Sequence, residues 1–244
     1  MNDTELFATL NTCVDGIADA IVAYRGQGYS GLRDTQYHLD LAADAVALKV
    51  LGDAGFRVVS EESGVTGESA WTVVVDPIDG STNCDKGVPF FASSLAVLRN
   101  GELYAALVAN LATGTRFQAV RGGGATRDGE PISPSGTTDL SHAIVAYSGY
   151  PTKYIGWSQF RVLGAASLEC CLVADGSLDV FTTANKSTLR SWDYLGGLLV
   201  AHEAGAVTAE WDDLNLVIDS DEPRRPIFAA SAELLSTIQE IGEI

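Results

Sequence analysis

Continuous apolar runs and amphipathic stretches alternate along this chain. Trp71-Thr72-Val73-Val74-Val75 has the β-branched, unbroken apolar character of a buried strand, and Asp76 stands where that strand should stop. A shorter apolar run, Phe56 to Val59, leads in the same way into Glu61-Glu62. Helices are predicted over Glu5 to Tyr24 and Leu41 to Gly52. Strands are predicted over Phe91 to Leu98 and Leu103 to Leu111, joined as a hairpin at Asn100-Gly101, with a third over Arg116 to Val120 extending the meander. Arg121-Gly122-Gly123-Gly124 then reads as a loop, without the lysine-threonine ending and following helix of a P-loop. A loop rich in Pro, Ser, Gly and Thr follows at Pro131 to Thr138. After it come a strand at Ala143 to Tyr147, helical stretches on both sides of Gly164, a strand at Leu178 to Thr182 and a helix from Trp192 to Ala204. Short strands at Ala206 to Thr208 and Ile227 to Ala230 precede an amphipathic closing helix, Ala232 to Ile241.

Local chemistry concentrates at one strand end. Pro77 disfavours a helical conformation at Asp76, while Asp79-Gly80-Ser81-Thr82-Asn83 supplies turn residues and helix N-cap candidates. Backbone N–H groups of Gly80 and Ser81 left outside a helix ladder make a ready anion site. Asp76 and Asp79, three apart across a tight turn, are placed to share metal ions. Asp193 falls in the first turn of its helix, where a carboxylate also suits the helix dipole.

With 244 residues, 46% of them hydrophobic, the chain can bury a sizeable core. A net charge of −17 uninterrupted by any basic run argues against nucleic acid or an anionic membrane surface as a general partner. The acidic, polar-punctuated N-terminal segment is unlike a signal peptide, and no apolar run reaches membrane-spanning length, so a cytoplasmic location is expected. Cys13, Cys84, Cys170 and Cys171 show no CxxC spacing, and His38, His142 and His202 show no ligand spacing. Cys84 reads as a small buried hydrophobe.

Carboxylates at Glu61-Glu62, Asp76, Asp79 and Asp193 suit hard cations such as Mg²⁺, which take oxygen ligands and keep room for waters and phosphate oxygens. The same acids repel a phosphate dianion unless cations reverse the local field.

Residues Trp71 to Asn83 (WTVVVDPIDGSTN) and Trp192 to Gly205 (WDYLGGLLVAHEAG), with the upstream Glu-Glu pair and Asp40-Leu41-Ala42-Ala43-Asp44, resemble the signatures of the inositol monophosphatase family. These are Mg²⁺-dependent, lithium-sensitive phosphomonoesterases, fructose-1,6-bisphosphatase-like members included. The resemblance implies an α+β fold, a layered α-β-α-β-α sandwich, with residues 1–244 as one catalytic domain and a homodimeric assembly. It implies that Glu61, Asp76 and the carbonyl of Ile78 hold a first metal, and that Asp76, Asp79 and Asp193 hold a second. A weaker third ion at Glu61 would bring the total to two to three Mg²⁺. Asp40 and Ser81 fall where the family places the pair that orients and deprotonates the attacking water, serine replacing the more usual threonine, with Glu62 as a supporting acid. Gly80 and Ser81 would hold the phosphate. Gly164, Ala165 and Ala166, with Asp193, would meet the alcohol part of the substrate.

One departure bears on specificity. Seven residues before Asp193, where inositol-selective members tend to carry glutamate, this chain has Lys186. A cation there suits a more anionic substrate, and Lys186 with Arg190 would contact a second phosphate. Three functions follow. The first is a Mg²⁺-dependent phosphatase of inositol-1-phosphate or a related sugar phosphate, working by direct attack of water, since phosphoryl transfer needs positioning and charge neutralisation more than a protein nucleophile. The second is the same chemistry on fructose-1,6-bisphosphate, 3′-phosphoadenosine-5′-phosphate or histidinol phosphate. The third is a non-catalytic relative that binds metal or polyanions.

Overall fold

In the computed structural model, which describes residues 1–242 and residue 244, helices α1 (Asp3–Ile21) and α2 (His38–Asp53) open the chain. Strands β1 (Arg57–Ser60), β2 (Gly64–Thr66) and β3 (Trp71–Asp79) lead into a short helix, α3 (Ser81–Lys86). A meander follows: β4 (Ala92–Arg99), β5 (Glu102–Asn110), β6 (Arg116–Val120), β7 (Gly124–Arg127) and β8 (Glu130–Pro131). The second half runs β9 (Ile144–Ser148), β10 (Gln159–Arg161), α4 (Ala166–Ala174), β11 (Val180–Thr183), α5 (Ser191–Ala204), β12 (Val207–Glu210), β13 (Pro226–Ala229) and α6 (Ala232–Ile241).

The first eight strands form one sheet in the order β2-β1-β3-β4-β5-β6-β7-β8, and the rest form a second, β10-β9-β11-β13-β12. Three apolar clusters then dictate the layering. α1 buries a stripe, Leu6, Leu10, Cys13, Val14, Ile17 and Ile21, which with α2 packs on the face of the large sheet carrying Val73, Val75 and Leu95. α4 and α5 are buried on nearly all sides, because they fill the space between the sheets, touching Val74 and Val108 of one and Ala146, Phe181 and Phe228 of the other. α6 covers the far face of the small sheet through Leu234 and Ile238. The layers are therefore α-β-α-β-α, as the family resemblance implies.

Differences from the sequence reading are local. β2, β7, β8 and β10 carry too few residues to show a period, so the expected loop at Gly124 is a strand. Gly164 has a helix only after it; the stretch before it holds β10, an edge strand whose Phe160 is exposed. The Asn100-Gly101 hairpin forms as expected, both residues at positive φ (53° and 80°).

The correction with most bearing on the site concerns β3. The strand does not stop at Val75 but runs to Asp79, and Asp76 is buried within it. Asp76 pairs with Ser94 and Asp79 with Ala92, so three steps on β3 oppose two on β4, a bulge in place of the expected tight turn. In a regular strand residues three apart point to opposite faces. The extra residue cancels that half-period: Ile78 drops into the α1/α2 cluster, and Asp76 and Asp79 share the face that α4 and α5 cover.

α5 comes close to this bulge because of two glycines. A Cβ on Gly196 would lie 2.8 Å from Ser94 Oγ, and one on Gly197 would collide with Cys170 Cβ and lie 3.1 Å from Ser167 O. Interior glycines each cost a helix about 1 kcal/mol, and here they let α5 touch β4 on one side and α4 on the other. Gly197→Ala should lower the melting temperature by about 5 °C, overpacking outweighing the gain in helix propensity. An unchanged or higher melting temperature in calorimetry would mean that α4 and α5 can separate freely.

Candidate active site

The bulge, the end of β1 and the start of α5 converge. Glu61, Asp76 and Asp193 each present a carboxylate oxygen, and the three oxygens lie within 4.8 Å of one another. Asp76 is fixed by its own turn, accepting the Ile78 N–H at 3.0 Å. Asp193 accepts the N–H of Arg190 at 2.6 Å, capping α5. Ser94, opposite Asp76 on β4, donates to the Trp192 carbonyl at 3.1 Å and ties that helix end to the sheet. Ser93 holds the Pro77 carbonyl at 2.7 Å from the other side of the bulge.

Electrostatics mark the trio as unsatisfied. Glu61 stands exposed at the cavity edge, yet the crowding around its carboxylate, first desolvation and then the charges of Asp193, Glu62 and Asp40, pushes it up to about 8. Asp193 rises to about 7 through burial and the charge of Asp79, partly offset by the Arg190 N–H. Asp76 is driven well above the carboxylate range by burial and then by Glu61, Asp79 and Asp193. Converging carboxylates that resist ionisation together make a strong cation site, since a divalent ion replaces mutual repulsion with attraction. The all-oxygen donor set fits Mg²⁺ better than a softer metal.

The other predicted residues surround the trio. Asp79 stands beside it, with its oxygens accepting the Ala166 N–H at 3.2 Å, the Ser167 N–H at 2.7 Å and the Ser167 hydroxyl at 2.5 Å. Burial still lifts it to about 6 against those three donors. Asp40 sits in the first turn of α2, a helix that starts earlier than Leu41, and accepts the Tyr37 N–H at 2.8 Å. Burial raises Asp40 to about 6, while that N–H and the Ser81 hydroxyl favour its charged form. The Ser81 hydroxyl also lies 3.1 Å from the Ile78 carbonyl, so two acceptors compete for one proton. Glu62 lines the same cavity as Glu61 and is held by the α1–α2 connection, where Arg33 pairs with it at 2.9 Å and Gln36 also donates to it.

Two cavities meet here. One of about 350 Å³ is lined by Asp40, Glu61, Glu62, Gly80, Ser81 and Arg33. Another, about 220 Å³, is lined by Asp79, Asp193, Ala165, Ala166, Tyr147 and Glu169, and Gly164 borders both. Gly80 is required at the junction: its φ is 86°, and a Cβ would sit 2.8 Å from the Gly164 carbonyl. Lys186 lies on the exposed loop before α5 at φ 59° and lines neither cavity.

The profile of the inositol monophosphatase family matches residues 22–242. The chain belongs to the inositol monophosphatase family, a family of phosphatases. Among its relatives, a fructose-1,6-bisphosphatase/inositol-1-monophosphatase of Methanocaldococcus jannaschii is 34% identical over 225 residues, 88% of this chain and 87% of that protein. A fructose-1,6-bisphosphatase of Pyrococcus furiosus is 35% identical over 212 residues, 84% of this chain and 82% of that protein. A solved inositol monophosphatase–fructose 1,6-bisphosphatase superposes with a TM-score of 0.85 at 30% identity, covering 99% of this chain and 100% of that one. Among the described residues no helix of this family member is long and apolar enough to cross a membrane.

Several residues around the site were given no role of their own by the sequence reading. Asp44 accepts the Ser60 hydroxyl at 2.5 Å and the Ser63 hydroxyl at 3.3 Å, steadying the turn that carries Glu61. Its spacing of four from Asp40, one turn along the same helix face, was the available signal. Arg33 and Gln36 gave none, because their partners lie far away in the chain, and Ser167 closes the small-residue turn at Gly164 without any local sign that it would hold Asp79. All four cysteines are buried and free; that includes Cys84, whose expected role as a small hydrophobe agrees with its place in the α1/α2 cluster.

Proposed function

We propose that this chain is a Mg²⁺-dependent phosphomonoesterase acting on inositol-1-phosphate or a related small sugar phosphate, with fructose-1,6-bisphosphate as a second substrate class. The observation that carries the reading is the trio of carboxylate oxygens within 4.8 Å, its members raised in pKa and flanked by the Asp40–Ser81 pair. Glu61, Asp76 and the Ile78 carbonyl would hold one ion, and Asp76, Asp193 and Asp79 another, Asp79 using the lone pairs its helix donors leave free. When bound, the ions supply Lewis acidity and offset the negative charge of phosphate and leaving group.

The chain's own groups do the rest. The Ser81 hydroxyl has two acceptors in reach, the Ile78 carbonyl and Asp40; with that carbonyl engaged by an ion it would donate to Asp40 and leave its oxygen to accept from a water. Asp40, with a pKa near 6, is ionised at neutral pH and is basic enough to receive that water's proton. The first N–H groups of α3 have no intrahelical acceptor and would hold an anion at Gly80–Ser81. The phosphate then occupies the larger cavity and the alcohol part the smaller, with Gly164 between them. The names of the archaeal relatives support keeping the bisphosphate beside the inositol phosphate. The cation on the rim of the phosphate cavity is Arg33, not Lys186.

Phosphate release should be measured with and without Mg²⁺ on inositol-1-phosphate, fructose-1,6-bisphosphate, histidinol phosphate and 3′-phosphoadenosine-5′-phosphate. The first two are expected to be hydrolysed, and chelation of Mg²⁺ to stop both. Release that persists in chelator, or none from the whole panel when Mg²⁺ binds, would overturn the assignment.

A further inference from the structure

The turn between the two cavities, Leu163 to Ala166, is held by side chains from elsewhere. On one side Leu163 donates its N–H to Glu169 Oε1 at 3.1 Å, and the N–H groups of Gly164 and Ala165 also bear on that carboxylate. On the other side the Leu163 carbonyl accepts from Asn83 Nδ2 at 2.8 Å, and the same amide reaches the Phe90 carbonyl at 2.8 Å. Asn83 belongs to α3, the helix that begins at Ser81, and Glu169 to α4, whose first turn clamps Asp79. A single residue, Leu163, is thus pinned from both sides by the two elements that carry the phosphate and metal ends of the site.

Glu169 is an expensive choice for a merely structural position. It is 1% exposed in a helix otherwise made of Ala, Ser, Leu, Cys and Val, and no cation pairs with it among the described residues. Burial pushes Glu169 up to about 8 in spite of the turn's N–H groups, and a buried acid of this kind, charged or protonated, costs stability that an apolar residue of similar size would not. What it provides is an acceptor for consecutive backbone N–H groups of the turn.

We propose that Glu169 and Asn83 are paired positioning residues, which fix the Leu163–Ala166 turn against Gly80 and Asp79 and so set the size and register of the cavity that receives the alcohol part of the substrate. The kinetic part of this inference rests on the phosphatase reading; the structural part does not.

The test uses Glu169→Leu, Glu169→Gln, Asn83→Leu and the Glu169→Leu/Asn83→Leu pair in the full chain. Hydrogen exchange of the 163–167 amides needs no activity. It is expected to quicken about tenfold or more in both single Leu variants, the loss of one buried hydrogen bond, with β4 and β5 unchanged. Glu169→Gln, which keeps the acceptor, should exchange like the parent. With any phosphomonoester the parent hydrolyses, both Leu variants should lose about 10- to 100-fold in kcat/KM, mainly through KM, as for displaced supporting groups. The double variant should be no worse than the poorer single one, because both grips hold one turn. Unchanged exchange in the single Leu variants, a Gln variant as impaired as the Leu variant, or additive losses in the pair would each overturn the proposal. Were the parent to hydrolyse nothing, exchange alone would decide it and the failure would belong to the functional reading.

Discussion

Asp193→Asn is expected to slow phosphate release by about 10³-fold or more at saturating Mg²⁺, the upper range for removing one preorganised charge-stabilising group. The substitution separates charge from architecture. The amide oxygen it introduces can still accept the Arg190 N–H that caps α5, a bond of 2.6 Å in the parent, so the helix start and its tie through Ser94 to β4 persist. What disappears is one of three anionic oxygens within 4.8 Å.

The same variant carries an opposite expectation for the metal-free fold. Asp193, lifted to about 7 by burial and by Asp79, costs the folded state free energy whenever it is ionised. Without Mg²⁺ at pH 8 the Asn variant should therefore melt higher than the parent; with Mg²⁺ the order should reverse, because the ion has lost a ligand. Phosphate release at the parent's rate would sink the cage as the catalytic centre. A metal-free variant that melts lower than the parent would instead show that Asp193 is a cap whose charge the fold needs.

Much of this architecture was legible in advance, for identifiable reasons. Long segments with one unmistakable period, such as the stripe of α1 and the β-branched run of β3, predicted their own burial, and α6 was delimited at Ala232–Ile241 from amphipathicity alone. Short strands were not legible: β2 has three residues and β8 two, and only pairing with neighbours makes them strands. The site divides in the same way. The acids at Glu61, Asp76 and Asp193 stood out because each follows or opens a readable element. The bulge that turns Asp76 and Asp79 to one face was hidden, since Pro77 and Gly80 read equally well as a tight turn. Partners that depend on long-range closure, such as Ser167 on Asp79 across 88 positions and Asn83 on Leu163 across 80, leave no local trace. Lys186 shows the converse: a position reached by counting from Asp193 sits on an exposed loop, while Arg33, which lines the larger cavity, comes from the other end of the chain.

The metal-free protein should become less stable as pH rises from about 4 to about 8, and Mg²⁺ should remove that dependence. The sign follows from the direction of the shifts. Asp40 and Asp79 titrate near 6, Asp193 near 7 and Glu61 near 8 in the fold, all above their unfolded values. A group that holds its proton more tightly when folded contributes stability fully below its unfolded pKa, and that contribution is lost as pH passes the folded one. The buried pair Asp40 and Asp79 alone amounts to a few kcal/mol, at about 1.4 kcal/mol per tenfold change in proton affinity. For a chain of this size that is a fall of order 10 °C in melting temperature between pH 5 and pH 8. Mg²⁺ at about 100 times its dissociation constant adds back about 2.7 kcal/mol, and it should do so at pH 8 far more than at pH 5, where protons compete for the same oxygens. Binding near pH 7 must then expel protons, so the heat of Mg²⁺ binding should change with the ionisation enthalpy of the buffer. A metal-free melting temperature that rises toward pH 8, or a Mg²⁺ effect equal at both pH values, would mean that these carboxylates are compensated within the protein and that the ion binds elsewhere.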